Sequence, residues 1–180
     1  MLKVTIPKSE FFDEETNEFV YVNECTLALE HSLVSISKWE SKWCKPFISS
    51  DQKTHEETID YIRCMTLTQN VDPDVYNYIP SDVIAQIQEY IDAPMTATWF
   101  SKNDNARKSR EIITSELIYY WMIALNIPFE CQKWHFNRLL TLIRVCSLKN
   151  SPPKKMSQKD ILSRNRALNA ARRKAAHHSG

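Results

Sequence analysis

The sequence predicts a mainly α protein: a helical domain with a small N-terminal antiparallel β element and a basic C-terminal helix. Three observations carry this. From Ser32 onward apolar residues recur at helical spacing. Runs rich in β-branched and aromatic residues are confined to residues 2–29. Glycine occurs once in 180 residues, at Gly180, where ordinary usage gives about a dozen. Its scarcity also excludes functions. Phosphate-cradling loops need glycine where the backbone approaches the ligand, so P-loop and dinucleotide-binding readings fail. The segments read as a β element over 1–31, a helical core domain over 32–151 and a basic helix or tail over 152–180.

In the first segment Val4 and Ile6 flank Thr5, and Pro7 ends the run. Phe19–Val22 and Thr26–Leu29 read as further strands, with Asp13–Asn17 as the polar turn between the first two. Leu33, Ile36, Trp39 and Trp43 then form an amphipathic stripe that Pro46 stops. Thr54-His-Glu-Glu57 is a capping box opening a second helix, with Ile59, Ile62 and Met65 on its apolar face. Asn70–Asp74 is a turn, followed by a short helical turn after Pro73. Pro80-Ser-Asp82 opens a third helix bearing Val83, Ile84, Ile87 and Ile91.

Met95–Asn105 reads as a linker. Ser109 caps the longest apolar helix, in which Ile112, Ile113, Leu117, Tyr120, Trp121 and Ala124 recur at helical spacing and Ile118, Tyr119, Met122 and Ile123 fill the other faces. A helix apolar almost all round is expected to be buried. Asn126-Ile-Pro128 breaks it, and a helix over 129–146 completes an αα-hairpin at the centre of the core. Pro152-Pro153 marks the main boundary, with the last helix starting near Ser157.

The formal net charge of +1 hides an asymmetry. Lys154–Lys174 carries eight basic residues against Asp160 alone, a net +7, and the remainder carries −6. Basic tails of this kind meet nucleic acid, acidic protein surfaces or anionic membranes; a solvated terminal helix has the same composition. Five cysteines, an odd number without a CxxC pair, read as free thiols in a reducing compartment. The opening Met1–Pro7 has no leader-type apolar run, and no apolar stretch reaches membrane-spanning length. The expectation is a soluble cytoplasmic protein with no membrane partner.

Chemistry-bearing residues are sparse. Cys131 and His135 stand four apart on the expected helix, but two ligands fall short of a structural zinc site. Glu56-Glu57 and Asp13-Glu-Glu15 sit where acids favour helix starts and turns. No nucleophile signature, cofactor motif or metal set is assigned, and the chain reads as a non-enzyme. The candidate binding residues are Trp39, Trp43 and Phe47, whose aromatics lie among Lys38, Lys42 and Lys45 and suit core packing first and an interface second. To these are added the tail cations Lys154, Lys155, Lys159, Arg164, Arg166, Arg172 and Arg173.

Several segments together resemble one family. They are Leu29-Glu-His-Ser-Leu33, Lys38-Trp-Glu-Ser-Lys-Trp43, Lys45-Pro-Phe47, Tyr61-Ile-Arg-Cys-Met65, Ala93-Pro-Met-Thr-Ala97 and Ser109-Arg-Glu-Ile-Ile113. The block Ile118–His135, Asn137–Arg144, Pro152-Pro-Lys-Lys-Met156 and Arg164–Asn169 with Arg172-Arg173 extend the set. From about Leu27 onward the chain resembles the tail assembly chaperones of long-tailed, siphovirus-type bacteriophages. The resemblance implies a non-catalytic protein without cofactors. Such a protein binds the tape-measure protein, helps recruit the tail-tube protein, self-associates in some cases, works in the host cytoplasm and is absent from the finished virion. Two alternatives stay open: a nucleic-acid-binding phage protein acting through the basic tail, and a structural tail or connector subunit.

Overall fold

The computed structural model describes residues 1–13, 18–48, 53–100, 111–151 and 158–177. The chain divides into two compact units, Met1–Leu148 and Lys149–Gly180. The architecture is mainly α, as the periodicity predicts.

Four short strands open the first unit. β1 (Leu2–Ile6) pairs antiparallel with β4 (Cys25–Leu29), from Leu2 opposite Leu29 to Ile6 opposite Cys25. Between them β2 (Ser9–Asp13) pairs with β3 (Glu18–Val22) as a second two-stranded sheet. Asp13, expected in the polar turn, instead ends β2, and the rest of that expected turn, residues 14–17, lies outside the described residues. Period-two alternation puts Val4, Ile6, Leu27 and Leu29 into the core. The other edge of β4 is closed by the chain after the second helix. The Leu67 amide donates to the Ala28 carbonyl at 2.7 Å, and the Ala28 amide donates to Thr68 Oγ1 at 2.9 Å. That pairing removes an exposed strand edge.

α1 (Leu33–Trp43) begins at Ser32, whose hydroxyl and that of Ser35 satisfy each other's backbone amides in a capping box. α2 (His55–Met65) begins at the Thr54/Glu57 capping box read from the sequence. A 3-10 turn over Pro73–Tyr78 follows, then α3 (Ser81–Asp92). α4 (Ser115–Ala124) is shorter than expected: its N-cap is Thr114, and Ser109 lies outside the described residues. The expected helix over 129–146 is two elements. A 3-10 turn spans Phe129–Lys133, the chain extends at Trp134, and α5 (Phe136–Asn150) begins only after His135.

Leu33, Ile36 and Trp39 of α1, Ile62 and Met65 of α2, Ile87 of α3, Ile118 and Met122 of α4 and Leu139 of α5 meet in one buried cluster with the strand residues. Burial of each such aliphatic side chain contributes roughly 1.5–3 kcal/mol. The second unit carries α6 (Gln158–His177), with Ile161, Leu162 and Leu168 as exposed apolar residues on an otherwise polar helix.

Candidate functional site

The aromatic candidates lie where α1 ends. Trp39 is 0% exposed, and its indole N–H donates to the Glu57 carbonyl at 2.9 Å. It stacks on Trp43 with ring centroids 6.1 Å apart and meets Phe47 edge-on at 5.2 Å. Phe47 lies 4.1 Å from the Tyr61 ring. The core reading thus holds for Trp39, which offers no surface in this conformation. Trp43 and Phe47 are half-buried, and the Trp43 indole donates to Asp60 Oδ2 at 2.9 Å.

The lysines interleaved with these rings are tied to carboxylates. Lys42 pairs with Asp60, and Lys45 pairs with Glu57 at 2.5 Å. The Lys45 hydrogen bond and the Thr54 amide hold the Glu57 carboxyl below its ordinary range. Lys53 lies over the Phe47 ring at 4.1 Å, and burial lowers its pKa. This region is a braced corner of the fold.

Cys131 and His135 do not share a helix face, because Cys131 sits in the 3-10 turn and His135 in the extended link before α5. His135 Nε2 lies 2.9 Å from the Tyr90 carbonyl oxygen. A carbonyl only accepts, so Nε2 donates its N–H here, which leaves Nδ1 as the ring's other polar atom. That Nδ1 is buried without a hydrogen-bond partner among the described residues. The His31 ring lies 5.1 Å from that of His135, and His31 Nδ1 is 2.5 Å from the Tyr61 hydroxyl. Burial and the neighbouring His135 push the His31 pKa down to about 3. Burial raises the Cys131 thiol, which keeps it protonated and a poor nucleophile. Among the described residues no three His, Cys, Asp or Glu side chains gather to hold a metal ion.

Of the basic tail, Lys154 and Lys155 lie outside the described residues. Lys159 falls in the first turn of α6, and Arg164, Arg166, Arg172 and Arg173 are exposed along it. The 20-residue helix therefore displays cations along most of its length.

A surface not singled out in the sequence lies between α4 and α5. Ile118 and Met122 turn inward, while Tyr120 and Ile123 are 63% and 60% exposed. Ala124, one turn beyond Tyr120, begins a groove of about 450 Å³ lined by Trp121, Leu125, Leu140, Ile143, Arg144 and Leu148, among others. Its floor is apolar, and Leu148 at the rim is 58% exposed. The expectation that α4 is buried all round is therefore corrected. The signal was present in the sequence, since a helix apolar on every face shows to solvent or to a partner whatever its neighbours leave uncovered.

No helix among the described residues is long and apolar enough to cross a membrane. No family model, no curated protein and no solved structure matches the chain.

Proposed function

We propose that this protein acts by binding rather than by turnover, as a tail assembly chaperone of a long-tailed bacteriophage. Its client would be the tape-measure protein, with the tail-tube protein recruited afterwards. The observation that carries this reading is the exposed apolar surface running from Tyr120 and Ile123 into the α4–α5 groove. A chaperone for a long helical client needs such a surface on a well-packed body, because amphipathic helices dock their apolar face into grooves. The sequence resemblance supplies the client's identity. Action in the host cytoplasm and absence from the virion belong to the same proposal.

Co-expression tests it. The tape-measure protein is expected to co-purify with this chain and to gain solubility in its presence. If pull-downs from infected cells enrich no tail protein, the reading fails. If mass spectrometry finds the chain in purified particles, the structural-subunit reading replaces it. Binding to nucleic acid through the exposed arginines of α6 is the second reading, favoured by the run of cations on that helix.

A further inference from the structure

We infer that the α4–α5 groove takes one kind of partner, an amphipathic α-helix with an aliphatic stripe and an acidic flank that pairs with Arg144. The inference rests on the binding role proposed above and names the chemistry of its partner. Among the described residues lining the groove Arg144 alone is charged. Its guanidinium stacks 4.1 Å over the Phe100 ring, which fixes the charge at the edge of the groove. No carboxylate pairs with it among the described residues. The cation is thus held beside an apolar channel, with no carboxylate among the described residues on its hydrogen-bonding fork.

Charge decides between the possible occupants. Two copies meeting groove to groove would bring Arg144 against a face whose lining residues include no acid. A basic helix would meet like charge. A helix with leucine-type anchors at i, i+3, i+4 and i+7 and glutamate or aspartate beside them satisfies both features. The exposed Leu148 and the half-buried Trp121 are the contacts such anchors would cover.

The experiment uses the full chain and two labelled synthetic helical peptides that share a leucine stripe, one flanked by glutamate and the other by lysine. Fluorescence anisotropy is expected to show the glutamate peptide binding more tightly, by roughly threefold to tenfold. Arg144→Glu is expected to reverse the order, and Leu148→Gln to weaken both peptides by roughly tenfold. Both positions are exposed, and circular dichroism checks that each variant keeps its fold. Equal binding of the two peptides, or an order unchanged in Arg144→Glu, overturns the inference. So does sedimentation showing a dimer that Leu148→Gln abolishes, which would assign the face to a second copy. If the tape-measure protein co-purifies equally with the wild type and Arg144→Glu, the groove assignment fails while the chaperone reading stands. If no tail protein co-purifies but the charge-dependent peptide order holds, the groove stands and the chaperone reading fails.

Discussion

Glu40 of α1 accepts the amide of Ser115, the first residue of α4, at 2.7 Å. Its other carboxylate oxygen accepts the Phe47 amide, also at 2.7 Å. One buried acid thus anchors both the loop after α1 and the start of a helix 75 residues away. The first amides of a helix have no partner within it, and a negative charge there is favourable. Glu40→Gln leaves one amide facing an NH₂ group, and the expected loss of stability is about 1–3 kcal/mol. Urea denaturation measures that loss. Hydrogen exchange is expected to accelerate at Ser115–Leu117 before it does so in α2. An unchanged midpoint would show that water replaces the carboxylate without cost.

Burial of His31, with His135 beside it, makes stability depend on pH. Both rings are buried, and Tyr61, Phe136 and the Tyr90 carbonyl surround them. Asp92 is the carboxylate whose charge reaches His31, and it offsets only part of the burial cost. The folded pKa of about 3 lies below the ordinary value of 6.5, so the unfolded chain binds the proton more readily than the folded one. The stability is complete above pH 6.5 and falls as pH drops toward 3. The slope for one such group is about 1.4 kcal/mol per pH unit. Denaturation at pH 7, 6 and 5 is expected to show this decline above the range where carboxylates titrate. His31→Gln is expected to flatten it; a slope unchanged in that variant would assign the acid sensitivity elsewhere.

Much of the fold is legible in the sequence because its signals are local. The Thr54/Glu57 box, the Ser32 start of α1 and the Ile-rich face of α3 depend on neighbours within a few residues. What escapes is set at long range. β2 is hidden because Ser9-Glu10 looks polar, and only pairing with β3 makes it a strand. His135 breaks the expected helix because its ring is held by the Tyr90 carbonyl and the next amide, that of Phe136, by the His31 carbonyl at 2.7 Å. Trp39 and Trp43 look alike in sequence, yet the first turns of α2 hold one fully buried and the other half open. The groove escapes for the opposite reason: α4 reads as core, and nothing local tells which face lacks a neighbour.

A chain almost without glycine must place other residues in the left-handed region. Cys44, Asn70, Met95 and Asn126 have φ of 53°, 55°, 47° and 52°. Asparagine tolerates this conformation, but Cys44, which caps the end of α1, gains nothing from it. Its side chain is exposed, so little packing is lost on truncation. Cys44→Gly is expected to stabilise the protein by about 0.5–1 kcal/mol, the relief of the left-handed strain less the added freedom of the unfolded chain. A thermal melt measures it. A lower midpoint would show that the thiol makes a contact worth more than the strain.

The cations of α6 separate the two binding readings. Arg172, Arg173 and Lys174 are exposed in the last turns of the helix, where positive charge also suits the helix dipole. Replacing all three with glutamine is expected to change the unfolding free energy of the Met1–Leu148 unit by no more than about 0.5 kcal/mol. Duplex DNA serves as the probe for electrostatic contact. If these side chains neutralise phosphates, the slope of log affinity against log salt falls by about 2–3 in the triple variant. Under the chaperone reading DNA binding is weak, and the triple variant still solubilises the tape-measure protein. Loss of client solubility together with intact groove-peptide binding would instead identify α6 as the hook for an acidic segment of that client. A steep, sequence-dependent DNA affinity that vanishes in the triple variant would make nucleic acid the principal partner and reduce the groove to an accessory.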